Sequence, residues 1–312
     1  MSHSDNGQTK SAATRRRVLA AMGGASVVGL AGCVGGDGGD GSDGSDGSDG
    51  GDGTNEFVAS AGANPGTFDP TIITDATSNS VVGTMAYERL VALTFDYSEV
   101  RGELASSYEQ VDDTTFRFTL REGVTFHNGD EFTAEDVRYT INRTISQETP
   151  AAAKPSTLKP VDGDGVIVQD DYTVQLNFEK AMAPALIYLT RGPGRAATIV
   201  SKGAIEEMGA EQYAVEPVGT GPFQVASHDV GSELVLERNE DYFMTDEDGT
   251  QLPYLDGVTV QPIPEPSSIV NALQSGDIHF ANLIPLQNVS QVESAGEVDK
   301  LQAPGVNWYG LA

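Results

Sequence analysis

The sequence predicts an α/β body, with α+β as the neighbouring alternative. Stretches with apolar residues at every second position are interleaved with stretches at helical spacing. Gly, Pro, Asn and Asp cluster between them, where turns are needed. From about residue 55 onward some 258 residues are available, enough for one large or two ordinary domains.

Phe57 to Ala61 predicts a short strand, and "ANPGTFDP" at 63–70 a turn. Residues 76–93 place Val81, Val82, Met85, Ala86 and Leu90 at helical spacing. From Thr115 the period is two, with Phe116, Phe118 and Leu120 on one face and Thr115, Arg117 and Thr119 on the other, a half-buried strand. Asn128-Gly129 marks a turn. "TAED" at 133–136 is a capping pattern that opens a helix with Val137 and Ile141 on one face. "VIVQDDYTVQLNF" at 166–178 reads as two strands about an Asp170-Asp171 turn. Pro184 opens an apolar helix through Leu189. Leu234 with Leu236, and Val258 with Val260, give two further strands. Ser267 to Ser275 is a short helix stopped by Gly276. Ile278 with Phe280, and Val306 to Leu311, read as strands.

Catalytic patterns are sparse. There is no Gly-x-Ser-x-Gly elbow and no Walker A loop. "STLK" at 156–159 matches Ser-x-x-Lys without its companion motifs and lies between two prolines, as a loop would. The histidines at 3, 127, 228 and 279 are scattered, and no pair has helical metal-ligand spacing. His127, beside a turn, reads as a hydrogen-bonded surface residue. "DGDG" at 162–165 lacks the later glutamate of a calcium loop, and "GTGPF" at 219–223 lacks the third glycine of a dinucleotide loop. The second reads as tight backbone packing at a crossover. No enzyme, metal or cofactor is expected.

The first 54 residues have a different character. Arg15, Arg16 and Arg17 precede an apolar run from Val18 to Leu30, the parts of an export signal. The run is too short for the ~20 residues a spanning helix needs. Arg15-Arg16 resembles a twin-arginine signal, and "LAGC" at 30–33 resembles a lipobox, which implies cleavage before Cys33 and lipidation of its thiol. Cys33 is the only cysteine, so it has no internal disulfide partner. The Gly, Ser and Asp run behind it has no apolar surface to bury and repels itself, so 33–54 reads as a disordered tether. Residues 35–53 would reach roughly 25 Å on average. The expected organisation is an export signal at 1–32, a tether at 33–54 and a soluble body anchored on the outer face of the cell membrane.

Charge narrows the setting. Acidic residues number 46 against 18 basic, a net −28; residues 1–32 are +3, so the remainder carries −31. Nucleic-acid binding is not expected, because phosphate contacts need a basic face. Self-repulsion of this size opposes compaction at low salt, and a Debye length of ~3 Å at 1 M removes it. With the twin-arginine-like signal, this looks like a protein from an extreme halophile such as a haloarchaeon.

Several stretches together resemble one family. They are "NPGTFDP" at 64–70, "YERLVAL" at 87–93, "SYEQVDDTTFRFTLREGVTFHNGDEFTAEDVRYTINR" at 107–143, "EPVGTGPFQVASHDVGSELVLERNEDYF" at 216–243 and "LPYLDGVTVQPIPEPSSIVNALQSGDIHFA" at 252–281. In order and from about 57 to 312, they resemble the solute-binding proteins of peptide and nickel ABC importers. The resemblance implies a periplasmic-binding-protein-like fold of the class II, extra-domain type, with lobes around a ligand cleft. It places domain I at 55–88 and 201–270, domain II at 89–200 and the start of domain III at 271–312. The family pattern continues beyond Ala312, so a chain incomplete at the C-terminus is expected.

The same resemblance implies a monomeric receptor that captures an oligopeptide or dipeptide and hands it to a membrane permease with its ATPase subunits. Relatives of that family also take nickel chelates, oligosaccharides or haem, and neither charge nor motif separates these. It places ligand contacts on Thr74, Asp75 and Ala76 and on the strand bearing Trp308 and Tyr309. Strand alternation lets only one of that last pair face the cleft. The blocks at 107–143 and 216–243 read as scaffold.

Overall fold

The computed structural model describes residues 56–94, 98–146, 158–160, 163–181, 185–190, 198–281, 284 and 286–294. Arg15, Arg16, Cys33, Trp308, Tyr309 and the strand expected at 306–311 lie outside them. No described helix is long and apolar enough to cross a membrane.

Two sheets carry the body. The first has five strands: β1 (Glu56–Ala61), β8 (Phe223–Asp229), β9 (Glu233–Arg238), β10 (Gly257–Pro262) and β11 (Phe280–Ala281), in the order β11-β1-β10-β9-β8. β1 runs parallel to β10 and β11, whereas β10, β9 and β8 are antiparallel neighbours. β1 pairs Phe57 with Val258 and Ala59 with Val260, so the intervening chain must leave this sheet and return. Much of it forms a four-stranded antiparallel sheet of β4 (Ala105–Asp112), β5 (Thr115–Leu120), β6 (Val166–Asp170) and β7 (Thr173–Asn177), ordered β4-β5-β7-β6. A short ribbon of β2 (Val91–Leu93) and β3 (Val100–Gly102) lies between the sheets in sequence.

Periodicity decides what is buried. Phe116, Phe118 and Leu120 of β5 and Val174 and Leu176 of β7 face the same core as Val137 and Ile141 of α2 (Ala134–Ser146). Phe116 meets Phe178 edge-on, with ring centroids 6.0 Å apart, a favoured quadrupolar arrangement. The start of α2 is held as the capping pattern predicts. The Asp136 carboxylate accepts from the Thr133 amide at 3.0 Å, and its other oxygen accepts from the Lys202 amide at 3.1 Å. One aspartate thus closes α2 and joins it to α4 (Lys202–Met208).

The strands expected at 57–61, 115–120, 166–178, 234–236 and 258–260 are present, as are the turn at Asn128-Gly129 and the helix ending at Gly276. That helix, α6 (Pro266–Ser275), stops where Gly276 adopts φ +80°. Three expectations need correction. The helical spacing across 76–93 yields only α1 (Ala76–Met85); Ala86 caps it, and 91–93 is strand β2. The helix stops because carbonyls beyond it are taken by distant chain: Ala86 by the Gly221 amide at 3.0 Å, Glu88 by Ile199 at 3.0 Å and Arg89 by Leu104 at 2.8 Å. The helix expected from Pro184 is one turn, α3 (Ala185–Tyr188); Pro184 lies outside the described residues. Ile278 is buried ahead of β11 rather than in it, because its neighbour His279 pairs with both the amide and the carbonyl of Val58.

β4 carries no legible period. Most of its residues are exposed and two register shifts interrupt its pairing with β5, as suits an edge strand. β2, β3, β8, α4, α5 (Ala210–Tyr213) and α7 (Leu286–Ser294) are also absent from the sequence reading, most of them short or interrupted.

Candidate ligand-binding site

The segment 62–75 connects β1 to α1 without regular structure, so side chains must hold it. Phe68 is buried, and Asp69 behind it is fully buried. One Asp69 oxygen accepts from the Thr71 amide at 2.9 Å and hydroxyl at 2.7 Å; the other accepts from Arg143 Nη2 at 2.6 Å. Arg143 Nε also donates to Thr71 Oγ1 at 3.1 Å. Arg143 lies in the last turn of α2, so the loop is tied to the helix covering the other sheet. Such a pair is strongly charge-assisted, and its members have no water to fall back on. The Tyr87 hydroxyl completes the clamp by donating to the Phe68 carbonyl at 3.1 Å. Burial, and then neighbouring Tyr213, push Tyr87 well above the ordinary tyrosine range, so it stays a neutral donor.

The clamp delivers Thr74, Asp75 and Ala76 to the start of α1. Thr74 and Ala76 are exposed and Asp75 is half-buried. Asp75 is the N-cap: its Oδ1 accepts from the Ser78 amide at 2.7 Å. Buried Ser78 in turn accepts from the Gly66 amide at 2.7 Å, fixing the loop against the helix. Asp75 thus has a structural role besides any contact with ligand.

A second connection joins the two sheets at "GTGPF". A Cβ on Gly219 would lie 1.8 Å from the Ala86 carbonyl oxygen, and one on Gly221 2.4 Å from that of Met85. Only glycine permits this approach. His127 closes the crossing from the other side. Its Nδ1 accepts from the Gly219 amide at 3.3 Å, so Nε2 carries the proton it donates to the Gly221 carbonyl at 3.0 Å. Burial pulls His127 below its ordinary pKa, opposed in part by that bond to Gly221, which suits the neutral tautomer. Asn239 Nδ2 donates to the same Gly221 carbonyl at 3.0 Å. His127 is therefore a brace between segments, not a metal ligand. Arg121, beyond β5, stacks over Phe243 at 5.7 Å and adds a further link.

A groove of about 710 Å³ opens beside this crossing, lined in part by His127, Met208, Val215, Val225, His228 and Val230. Its side chains are mostly apolar, and both His127 nitrogens are engaged with backbone. Among the described residues no group of three or more His, Cys, Asp and Glu is placed to hold a metal ion. Of "STLK", the described Lys159 pairs with Asp164 at 2.7 Å.

Sequence reasoning missed the buried charges. Asp69, Glu88, Arg89, Glu103 and Arg143 are all buried, though their types usually face water. A signal existed for Arg143: Asp136, Thr140, Arg143 and Thr144 fall at helical spacing on the buried side of α2.

A mixed sheet whose β1 returns to pair with β10, joined by fixed braces to an antiparallel sheet, is the framework of a periplasmic-binding-protein-like solute receptor. Residues 99–312 match the family described as bacterial extracellular solute-binding proteins, family 5, and this chain belongs to it. Among curated relatives it is 29% identical over 259 residues to the probable D,D-dipeptide-binding periplasmic protein DdpA of Escherichia coli K12, covering 80% of this chain and 47% of that protein. It is 26% identical over 252 residues to the glutathione-binding protein GsiB of the same strain, covering 80% and 46%. Among solved structures it is similar to the periplasmic binding protein DppA from Helicobacter pylori in complex with peptide STSA, with TM-score 0.65, 27% identity, and 77% and 48% of the two chains covered. It is also similar to the oligopeptide-binding protein AppA from Bacillus subtilis in complex with a nonapeptide, with TM-score 0.64, 26% identity and coverage of 76% and 45%. The chain spans about half the length of the curated relatives it matches.

Proposed function

We propose that this protein is the substrate-binding receptor of an ABC importer, capturing oligopeptides or dipeptides outside the cell for a permease and its ATPase subunits. The observation that carries this reading is the match of 77% of the chain to a binding protein holding a peptide. The braces add physical support, because a receptor needs one half of its cleft already organised before ligand arrives. In this reading domain I comprises 55–88 and 201–270, domain II 89–200, and domain III opens at 271–312. Thr74, Asp75 and Ala76 meet the ligand from domain I, and one of Trp308 and Tyr309 meets it from domain III. The protein works as a monomer, needs no metal or cofactor, and is adapted to high salt.

The test is a thermal-shift assay in molar salt on the protein purified from its own cells, using a pool of short peptides. At a ligand concentration 100 times Kd, mass action adds about 2.7 kcal/mol. At ~2–4 °C per kcal/mol for a body of this size, Tm is expected to rise by about 5–10 °C. Asp75→Asn keeps an oxygen for the Ser78 amide, so Tm without ligand is expected to hold while peptide affinity falls about tenfold, the loss of one charged hydrogen bond. A folded protein whose Tm ignores every peptide would overturn the substrate class; unchanged affinity in Asp75→Asn would leave that residue as a cap alone.

The anchor is a separate proposal. Export through a twin-arginine signal at Arg15 and Arg16, followed by lipidation of Cys33, holds the receptor on the outer face of the membrane. Cys33→Ser is expected to move the protein from the membrane fraction to the medium. Continued sedimentation of the variant with membranes would sink the lipid assignment.

A further inference from the structure

The chain crosses from the first sheet to the second through Ala86–Val91, and two buried glutamates meet there. Glu88 is 3% exposed and Glu103, between β3 and β4, is 4% exposed. Glu88 Oε1 accepts from the Tyr242 hydroxyl at 2.5 Å. Glu88 Oε2 is sealed from solvent and meets no protein donor, while its carboxyl lies within hydrogen-bonding reach of Glu103. Glu103 Oε2 accepts from the Arg89 amide at 2.8 Å. Two carboxylates side by side need a proton between them, and Glu88, whose Oε2 meets no donor, is placed to carry it toward Glu103.

We propose that Glu88 keeps a proton at neutral pH, directed at Glu103, and that losing it loosens the junction between the two sheets, making the junction pH-sensitive. Charge balance supports this. Facing the pair are the Arg89 guanidinium, which is also buried and donates to the Gly83 carbonyl at 2.5 Å, and the neutral Tyr242 phenol. Arg101 on β3 acts on Tyr242, and Arg121 holds the Glu103 carbonyl at 2.7 Å. One proton on Glu88 and one Arg89 leave the buried cluster neutral. Removing the proton leaves an uncompensated negative charge where no water can solvate it. Tyr242 offers no escape, because burial and Glu88 push its own ionisation far upward.

The direction of the effect follows. Burial, and then Glu103, raise Glu88 well above its ordinary value of 4.5. A raised acid gives stability that is complete below that ordinary value and is lost as pH rises through the folded-state value. The crossing hydrogen bonds report it: Ile199 amide to Glu88 carbonyl, Leu104 amide to Arg89 carbonyl, and Arg89 amide to Glu103 Oε2.

The experiment is amide hydrogen exchange at Arg89, Leu104 and Ile199, corrected for intrinsic rate, from pH 5 to 9 in molar salt. That salt screens surface repulsion but not a buried pair. In the unmodified protein, protection of these amides is expected to fall about tenfold or more as pH rises, through local opening at the junction. In Glu88→Gln, whose amide can donate to Glu103 and accept from Tyr242, the fall is expected to vanish. Identical pH profiles for the two proteins would overturn the proposal. Should Glu88→Gln not fold, infrared spectroscopy of the unmodified protein decides. A protonated glutamic carboxyl persisting at pH 7 supports the proton on Glu88, and its absence overturns it.

Discussion

Gly219→Ala and Gly221→Ala are each expected to destabilise the protein by about 3 kcal/mol or more, the upper end of overpacking costs and beyond. The reason is geometric. The added methyl would meet backbone, not a side chain that can swing aside: 1.8 Å from the Ala86 oxygen at position 219, and 2.4 Å from the Met85 oxygen at 221. Neither segment can easily retreat. The Gly221 amide is bonded to the Ala86 carbonyl at 3.0 Å, and His127 holds the glycine segment from the far side. Thermal or denaturant unfolding in molar salt measures the loss, which corresponds to a drop of roughly 6–12 °C in Tm. Gly249→Ala is the control for glycine removal itself. It sits in an open turn with no atom near its Cβ position, where the strain is that of its positive φ alone. A loss at 219 and 221 no greater than at 249 would mean that the crossing is looser than described.

Arg143→Met is expected to cost about 3–5 kcal/mol, the penalty for leaving one member of a buried ion pair uncompensated. Asp69 is fully buried, and without Arg143 its charge keeps only the Thr71 donors. The double variant Asp69→Asn, Arg143→Met removes the stranded charge and is expected to recover most of the loss, because a buried pair contributes little net stability over uncharged groups. Denaturant melts of both single variants and the double variant give the coupling directly. Additive losses in the double variant would show that the pair does not act as a unit. The pair also positions the loop carrying Thr74 to Ala76, so under the function proposed above the single variant is expected to weaken peptide binding even where it remains folded.

Much of this protein was legible in one dimension. Strands with period two, such as Thr115–Leu120, announced themselves because one face is buried and the other is not. Asp136 was readable as a capping residue, and Gly276 as a stop, because both act within one turn of chain. Family membership was legible for the same reason: its motifs are local strings, and residues 99–312 match the family. Candidate residues Thr74, Asp75 and Ala76 came from that likeness. Their placement at the head of α1, with Asp75 as its cap, needed the structure.

Other features depended on contacts between residues far apart in the chain. The helix over 76–93 looked continuous, yet it ends at Met85 because Gly221, Ile199 and Leu104 compete for the carbonyls beyond it. β4 was silent because an exposed, bulged edge strand has no apolar face to repeat. "GTGPF" read as tight packing, but its partner at Met85–Tyr87 lies more than a hundred residues away. Nothing in the sequence singled out Glu88, Glu103, Asp69 and Arg143 as buried, because burial of a charge depends on a partner brought from another element. Sequence by itself determined the local order, the family and the acidic character, since these are properties of neighbouring residues and of sums. Tertiary structure alone decided which glycines are irreplaceable and which charges are buried, since close approach and desolvation exist only once distant segments meet.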